Sequence, residues 1–246
     1  MGIFNSIKKR ADWFINVSFD KQSGFYRYKR FDKYIYIRHP RHFLSKSMQS
    51  WLCENIFFKH YLPSDSDTVV DLGAGYGEEA VYLSEKSPNV RYIGVEPQPV
   101  IYECISNTFK DAGQHFFTSP YVITNREWVK FISQFSYASV GELTQGYIEV
   151  PTIKWDTFLD RYNIENIDLL KMNIEGAEKE VLDQITDFNL IKRFIISCHD
   201  FRANGGEGEQ YRTKEYITKT LYDNGYSVKT FNLGINWADD WIYAEK

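Results

Sequence analysis

The stretch that most constrains this chain is "VVDLGAGYGEEAVYLSEK", residues 69–86. A short apolar run ends at Asp71 and Leu72, three glycines follow on alternate positions (Gly73, Gly75, Gly77), and a helix-like pattern begins at once. Glycine permits backbone angles closed to other residues and lets a ligand lie against the main chain. The unit does not stand alone. From Thr68 onward strand-like and helix-like segments alternate, with strands expected at 68–72, 91–95, 115–123, 167–173, 194–199, 226–232 and 240–245. Helices are expected at 77–87, 98–111, 176–186 and 210–224. Alternation at this spacing predicts an α/β fold, a mostly parallel sheet of about seven strands with helices on both faces. The length of 246 residues and the hydrophobic content of 43% suffice for one large domain of this kind with additions.

The additions are expected in two places. Residues 1–65 read as an N-terminal extension packed on a body at 66–246. Within it, residues 23–45 alternate aromatic and charged side chains around Phe31-Asp32-Lys33, the period-2 pattern of a β-hairpin. Tyr26, Arg27, Tyr28, Arg30, Tyr36 and Arg38 form one packed and one solvated face of that ribbon, or a surface on which an acceptor glycan stacks. Residues 46–61 read as a helix stopped by Pro63, and the chain start as a short amphipathic helix in which Gly2 and Ser6 fit a myristoylation pattern on paper. That start has no long apolar segment or small-residue cleavage site of a signal peptide. Residues 126–155 are expected to insert an extra strand pair, and "ANGGEGEQ", 203–210, to form a flexible loop.

Charge and cysteine usage narrow the function classes. A formal charge of −4 gives no electrostatic reason to expect nucleic acid as a partner. No apolar run approaches the roughly 20 residues of a membrane span. Cys53, Cys104 and Cys198 lie far apart with no ligand spacing, so they read as buried reduced thiols of a cytoplasmic protein.

In a sheet of this kind ligands bind at the carboxyl ends of the strands, where the strand order reverses. A dinucleotide-binding turn usually reads GxGxxG, which seats a pyrophosphate on the helix N-terminus. Here the spacing is GxGxG, and Glu78 and Glu79 follow. Two carboxylates there suit the helix dipole but repel a pyrophosphate. A nucleoside with an amino-acid portion and no phosphate fits better, and S-adenosylmethionine is such a ligand. "RYIGVEPQP" then supplies Glu96 at the end of the next strand, about 20 residues past the turn, where a carboxylate can accept from both ribose hydroxyls.

A third motif carries a resemblance. "VPTIKWDTFLDRYNIENIDLLKMNIEGAEKEVLDQI", 150–185, resembles the signature of the FkbM-type S-adenosylmethionine-dependent methyltransferases, in which a VPxxxLD-like segment precedes an IDLLKIDVEGAE-like strand and helix. With DLGAGYG and the Glu96-Pro97 pair, the likeness covers about residues 65–201. It implies a class I methyltransferase fold with a Rossmann-like sheet, S-adenosylmethionine as cofactor, and O-methylation, often of sugar or polyketide hydroxyls. By that likeness Asp71, Gly73, Gly75, Gly77 and Glu96 are the cofactor residues. One position departs, since Asn173 stands where the family commonly has aspartate.

For chemistry, the strand "LLKMN" places Asn173 and Glu175 at a carboxyl edge, and "FIISCHDF" places His199 and Asp200 at the next. Glu175 either favours the start of the following helix or faces the acceptor. His199 is either a hydrogen-bonded structural histidine or part of the site. An alcohol is a poor nucleophile, so a base is useful. His199 and Asp200 are the candidates, with Glu175 and Asn173 orienting a small-molecule or carbohydrate acceptor and residues 202–210 as a lid. Asn173, Glu175, His199 and Asp200 also offer oxygen ligands to a hard cation, but the loss of charge at Asn173 favours a metal-free site. Lys171, expected in a buried strand, has no evident role. Two rivals remain: a non-catalytic cofactor-binding or scaffold protein, and a nicotinamide-dependent oxidoreductase, which the glycine spacing opposes.

Overall fold

A computed structural model describes residues 15–127, 129–132 and 147–246. The expected helix at the chain start and the Gly2 and Ser6 pattern lie outside them. The extension contains β1 (Val17–Asp20), β2 (Phe25–Arg30) and β3 (Lys33–Ile37), so the expected hairpin is two strands of a three-stranded antiparallel sheet in the order β1-β2-β3. Phe31 and Asp32 connect β2 to β3 with φ of 46° and 64°, the two positive angles of the tight turn that matches strand twist. The Phe31 ring packs edge-on against Tyr82 of the body, which helps hold a bulky residue in that conformation. Helix α1 (Lys46–Leu52), capped by the Ser45 hydroxyl, runs on into a wider π-type turn over Cys53–Phe57. The helical segment therefore stops short of residue 61, because Cys53, Ile56 and Phe57 turn into the core there.

The body alternates as expected. In chain order come β4 (Thr68–Leu72), α2 (Glu78–Lys86), β5 (Arg91–Val95), α3 (Pro99–Ala112), β6 (Phe116–Ser119), β7 (Val122–Ile123), β8 (Val129–Ile132), β9 (Tyr147–Val150) and β10 (Thr152–Ile153). Then follow α4 (Trp155–Arg161), β11 (Leu169–Met172), α5 (Glu178–Leu182), β12 (Arg193–Ser197), α6 (Asp200–Asn204), α7 (Lys214–Asp223), β13 (Ser227–Thr230), α8 (Asn236–Asp239) and β14 (Trp241–Glu245). Seven strands form the main sheet in the order β13-β14-β12-β11-β4-β5-β6. The five inner and far strands run parallel, and β14 is antiparallel to both β12 and β13. The order reverses between β4 and β11, which makes their carboxyl ends the switch point.

Three elements differ from the sequence reading. The run 115–123 breaks at Pro120 into β6, in the main sheet, and β7, which leaves it to pair with β10. Helix α4 begins where the insertion ends and buries Trp155, Phe158 and Leu159. Part of the segment expected as a flexible loop is helix α6. The inserted strand pair is present as antiparallel β8 and β9.

Side chains alternate across each strand, so the sheet has two apolar faces. Val70, Leu72, Ile93, Leu170, Met172 and Phe194 belong to one core, and Val69, Tyr92, Leu169, Ile195 and Tyr243 to the other. The extension docks on the second side. The Tyr36 N–H donates to Thr108 Oγ1 of α3 (3.0 Å), and Arg30 reaches Gln49, whose amide donates to the Glu78 carbonyl (2.7 Å). Among the described residues no helix is long and apolar enough to cross a membrane.

Candidate active site

The glycine turn leaves β4 through main-chain bonds to the next strand. The N–H groups of Gly73 and Ala74 both donate to the Val95 carbonyl, at 2.9 and 3.1 Å. A side chain at Gly73 would stand 2.1 Å from the Asn173 carbonyl oxygen, so the turn can lie against the end of β11 only with glycine there. Gly75 differs. Its φ is +55°, and a Cβ would meet nothing within 4 Å, because it faces open space.

That space is a cavity of about 470 Å³ at the ends of β4, β5 and β11, within the roughly 300–1,000 Å³ range of small-ligand pockets. Gly73, Gly75, Glu96, Asn173 and Glu175 line it. Asp71 and Gly77 do not: Gly77 is the N-cap of α2, and Asp71 is wholly buried beneath the turn. The register sets Asp71 beside Lys171 on adjacent parallel strands. Lys171 Nζ lies 2.7 Å from Asp71 Oδ1 and 3.7 Å from Glu79 Oε1, and the Tyr92 hydroxyl donates to the other Asp71 oxygen. Burial disfavours the Lys171 ammonium, and Asp71 and Glu79 outweigh it, holding it above its ordinary value. The lysine with no evident role thus neutralises the motif aspartate, which braces the turn from below.

Glu96 is 8% exposed. Its two carboxyl oxygens accept from the N–H groups of Gly75 (3.2 Å) and Gln98 (3.0 Å), one each, leaving acceptor capacity on both. Burial pushes it up from 4.5 to about 7 against the pull of those two donors. Glu78, also at the cavity, is pushed to about 7 by burial and by Glu79, and takes a hydrogen bond from Tyr28 of β2 (3.2 Å). With Glu79 and Glu175, four carboxyl groups line the cavity, a setting suited to a cationic ligand and hostile to a pyrophosphate.

His199 and Asp200 are not on the cavity wall. The Asp200 carboxylate accepts from the backbone N–H of Thr213 (2.9 Å) and of Lys214 (3.0 Å), so it caps the start of α7. His199 is buried behind Glu175, with Nε2 3.7 Å from Glu175 Oε1. The four strand-end groups therefore do not converge, and among the described residues no set of three His, Cys, Asp or Glu is arranged to hold a metal ion. The expected lid, 202–210, is tied down by Arg202, which bonds both Glu175 and Glu207 and lies over the Tyr211 ring at 3.9 Å.

Some lining residues escaped the sequence reading. Arg41, His42, Phe43 and Leu44 bring the extension over the cavity, with the His42 ring stacked on Tyr76 of the glycine turn (5.2 Å) and bonded to its hydroxyl. Burial and the nearby Arg41 lower His42 to about 4. The short run "RHPRHF" is rich in side chains that bind ligands, but nothing local says that it meets residue 76. Tyr121 to Ile123 join from the break after β6.

A doubly wound sheet in this order, with a glycine turn after one central strand and an acid after its neighbour around a switch-point cavity, defines the class I methyltransferase fold. The chain belongs to the FkbM methyltransferase family: the family model described as "Methyltransferase FkbM domain" matches residues 71–228, more than half of its length. S-adenosylmethionine is the cofactor that goes with this family and fold. Among solved structures the chain is similar to methyltransferase FkbM from Methylobacillus flagellatus KT, at 16% identity and a TM-score of 0.52, over 78% of this chain and 47% of that one. It thus spans about half the length of that relative. It is also similar to an O-methyltransferase from Bacillus cereus in complex with SAH (9% identity, TM-score 0.49, 82% of this chain and 81% of that one). A precorrin-6y C5,15-methyltransferase from Geobacter metallireducens GS-15 shares 15% identity at a TM-score of 0.46, over 83% and 91%. At 16% identity the likeness to the Methylobacillus flagellatus protein concerns the fold. No curated protein matches the chain.

Proposed function

We propose that the chain transfers a methyl group from S-adenosylmethionine to a hydroxyl oxygen of a sugar, glycan or related natural product. The observation that carries this reading is the composition of one cavity: Gly75 open to it, Glu96 with spare acceptor capacity, and the polar pair Asn173 and Glu175 on its β11 side. The residues fit the cofactor. Glu96 accepts the ribose hydroxyls, and Glu78 and Glu79 complement the positive charges of the donor.

Bound there, S-adenosylmethionine supplies a methyl already made electrophilic by a sulfonium, so the protein's task is alignment and exclusion of water. Asn173 orients the acceptor through its amide. Glu175, at the cavity where His199 and Asp200 are not, takes the hydroxyl proton. Phe43 and Tyr121, both at the cavity, supply aromatic surface for contact with a sugar. The extension closes the cavity from the side of Arg41 to Leu44.

The test supplies methyl-labelled S-adenosylmethionine to the purified full chain with a panel of sugars, nucleotide sugars and phenolic alcohols, beside amine and carboxylate acceptors. Label in an alkali-stable ether supports the reading. Label in amines or alkali-labile esters, or cofactor binding with no turnover on any acceptor, overturns the hydroxyl assignment.

A further inference from the structure

Behind the cavity wall, β11 and β12 each lead into a non-glycine residue with a left-handed backbone, Glu175 at φ 57° and His199 at φ 58°. Such conformations persist only where the surroundings impose them, and they cluster at functional sites. These two face each other. His199 Nε2 lies 3.7 Å from Glu175 Oε1, and His199 Nδ1 lies 3.1 Å from Glu178 Oε1. Glu178 is fully buried in the first turn of α5. The same Glu178 oxygen accepts the N–H of Ile174 (3.0 Å), and its second oxygen has no hydrogen-bond partner. The contact to Nδ1 is an ion pair more than an aligned hydrogen bond, since the ring N–H points off the oxygen. On the far side, Arg202 holds the other Glu175 oxygen and is itself fixed by Glu207 at 2.7 and 2.9 Å. Charge alternates along this row of contacts, of which Glu175 is the member at the cavity: Glu178, His199, Glu175, Arg202.

A carboxylate this deep, with one oxygen bare, is costly unless a cation faces it. A surface loop bonded for stability alone needs neither a buried acid nor a ring threaded between two carboxylates. We infer that Glu178 is a positioning residue: paired with His199 it fixes the imidazole so that Nε2 orients Glu175 toward the cavity. The inference rests on the reading of Glu175 as the acceptor-facing base. Every group facing His199 is consistent with it. Burial alone would lower the imidazole; Glu178 on α5 and Glu175 after β11 outweigh that and Arg202 on α6, and hold it above its ordinary value. The Ser197 hydroxyl sits 3.5 Å from Nε2, and the neighbouring Cys198 thiol, pushed up by burial, stays neutral.

Two readouts test this. Imidazole nitrogen NMR of the wild-type chain, which needs no variant, should give a His199 midpoint above 6.5. The midpoint should fall in Glu178→Gln and fall less in Glu175→Gln. In Glu178→Gln, S-adenosylmethionine affinity by calorimetry should hold within about twofold, while kcat drops on the order of tenfold or more and its acid limb moves to higher pH. A wild-type midpoint below 6.5, a midpoint unmoved by both variants, or a fall in kcat with the acid limb in place would overturn the positioning role. A raised midpoint that responds as stated, in a wild-type chain that methylates no oxygen acceptor, supports the Glu178–His199–Glu175 pairing and counts instead against the proposed reaction.

Discussion

Replacing Glu96 with glutamine removes one ionisable group and almost no volume. In the native chain burial raises this carboxyl from 4.5 to about 7. An acid whose folded pKa lies above its unfolded value favours the fold through its neutral form. That contribution is complete below about 4.5 and is lost as pH climbs through about 7. At ~1.4 kcal/mol per pH unit, the rise from 4.5 to about 7 is worth ~3 kcal/mol. Glutamine does not titrate, so the decline of stability between about pH 5 and pH 8 should be ~3 kcal/mol smaller in Glu96→Gln. The residual decline belongs to Glu78, raised to about 7 by burial and Glu79, together with Glu79 and His199, which are raised as well. Urea unfolding of both proteins without ligand, in steps across that range, reads the difference through the midpoints. Binding should move the opposite way. At about pH 8 the ionised Glu96 is the better acceptor for ribose hydroxyls, and the variant should lose ~1–3 kcal/mol of S-adenosylmethionine affinity. The gap should narrow below about pH 6, where the wild-type carboxyl is neutral too. Parallel stability curves would refute the burial argument, and equal affinity at high pH the ribose assignment.

The two glycines nearest the cavity should separate fold from ligand. Gly73→Ala places a methyl 2.1 Å from the Asn173 carbonyl and should cost ~2 kcal/mol or more in urea unfolding. A Cβ at Gly75 meets no protein atom within 4 Å, so Gly75→Val should lose only ~1–2 kcal/mol to its left-handed backbone, while calorimetry shows on the order of tenfold weaker S-adenosylmethionine binding. Lys171→Met leaves Asp71 as an unpaired buried charge and should destabilise by ~3–5 kcal/mol; a loss under ~1 kcal/mol would mean that Tyr92 alone satisfies the aspartate. Turnover should persist in excess EDTA and gain nothing from magnesium add-back, because Asp200 is committed to capping α7 and cannot join Asn173 and Glu175 around an ion. Activity that disappears with chelator and returns with magnesium would refute that.

Local pattern was enough for the frame. Period-2 and period-3.6 repeats report which side of each segment is apolar, so β4, β5, β11, β12 and helices α2, α3 and α5 were legible with ends off by a few residues, whereas α4 was not. So were the glycine turn and Glu96, because a close approach of backbone to ligand and an acid one strand away are demands met by nearby residues. Asn173 and Glu175 reach the cavity for the same reason, standing directly after a strand whose register is set by its apolar face. What only the tertiary structure decided are the pairings between distant segments. Lys171 meets Asp71 across 100 positions of sequence because the register of two parallel strands puts them abreast on one face. Asp200 turns to α7 and His199 slides behind Glu175, because the chain leaves β12 through a left-handed residue and a short helix that no periodicity announced. The stretch 41–44 became cavity wall because the three-stranded extension docks on α3, a choice made by the fit of two surfaces rather than by either sequence. Strand faces are encoded within a few residues, whereas register, exit direction and docking depend on packing that exists only once the chain has closed on itself.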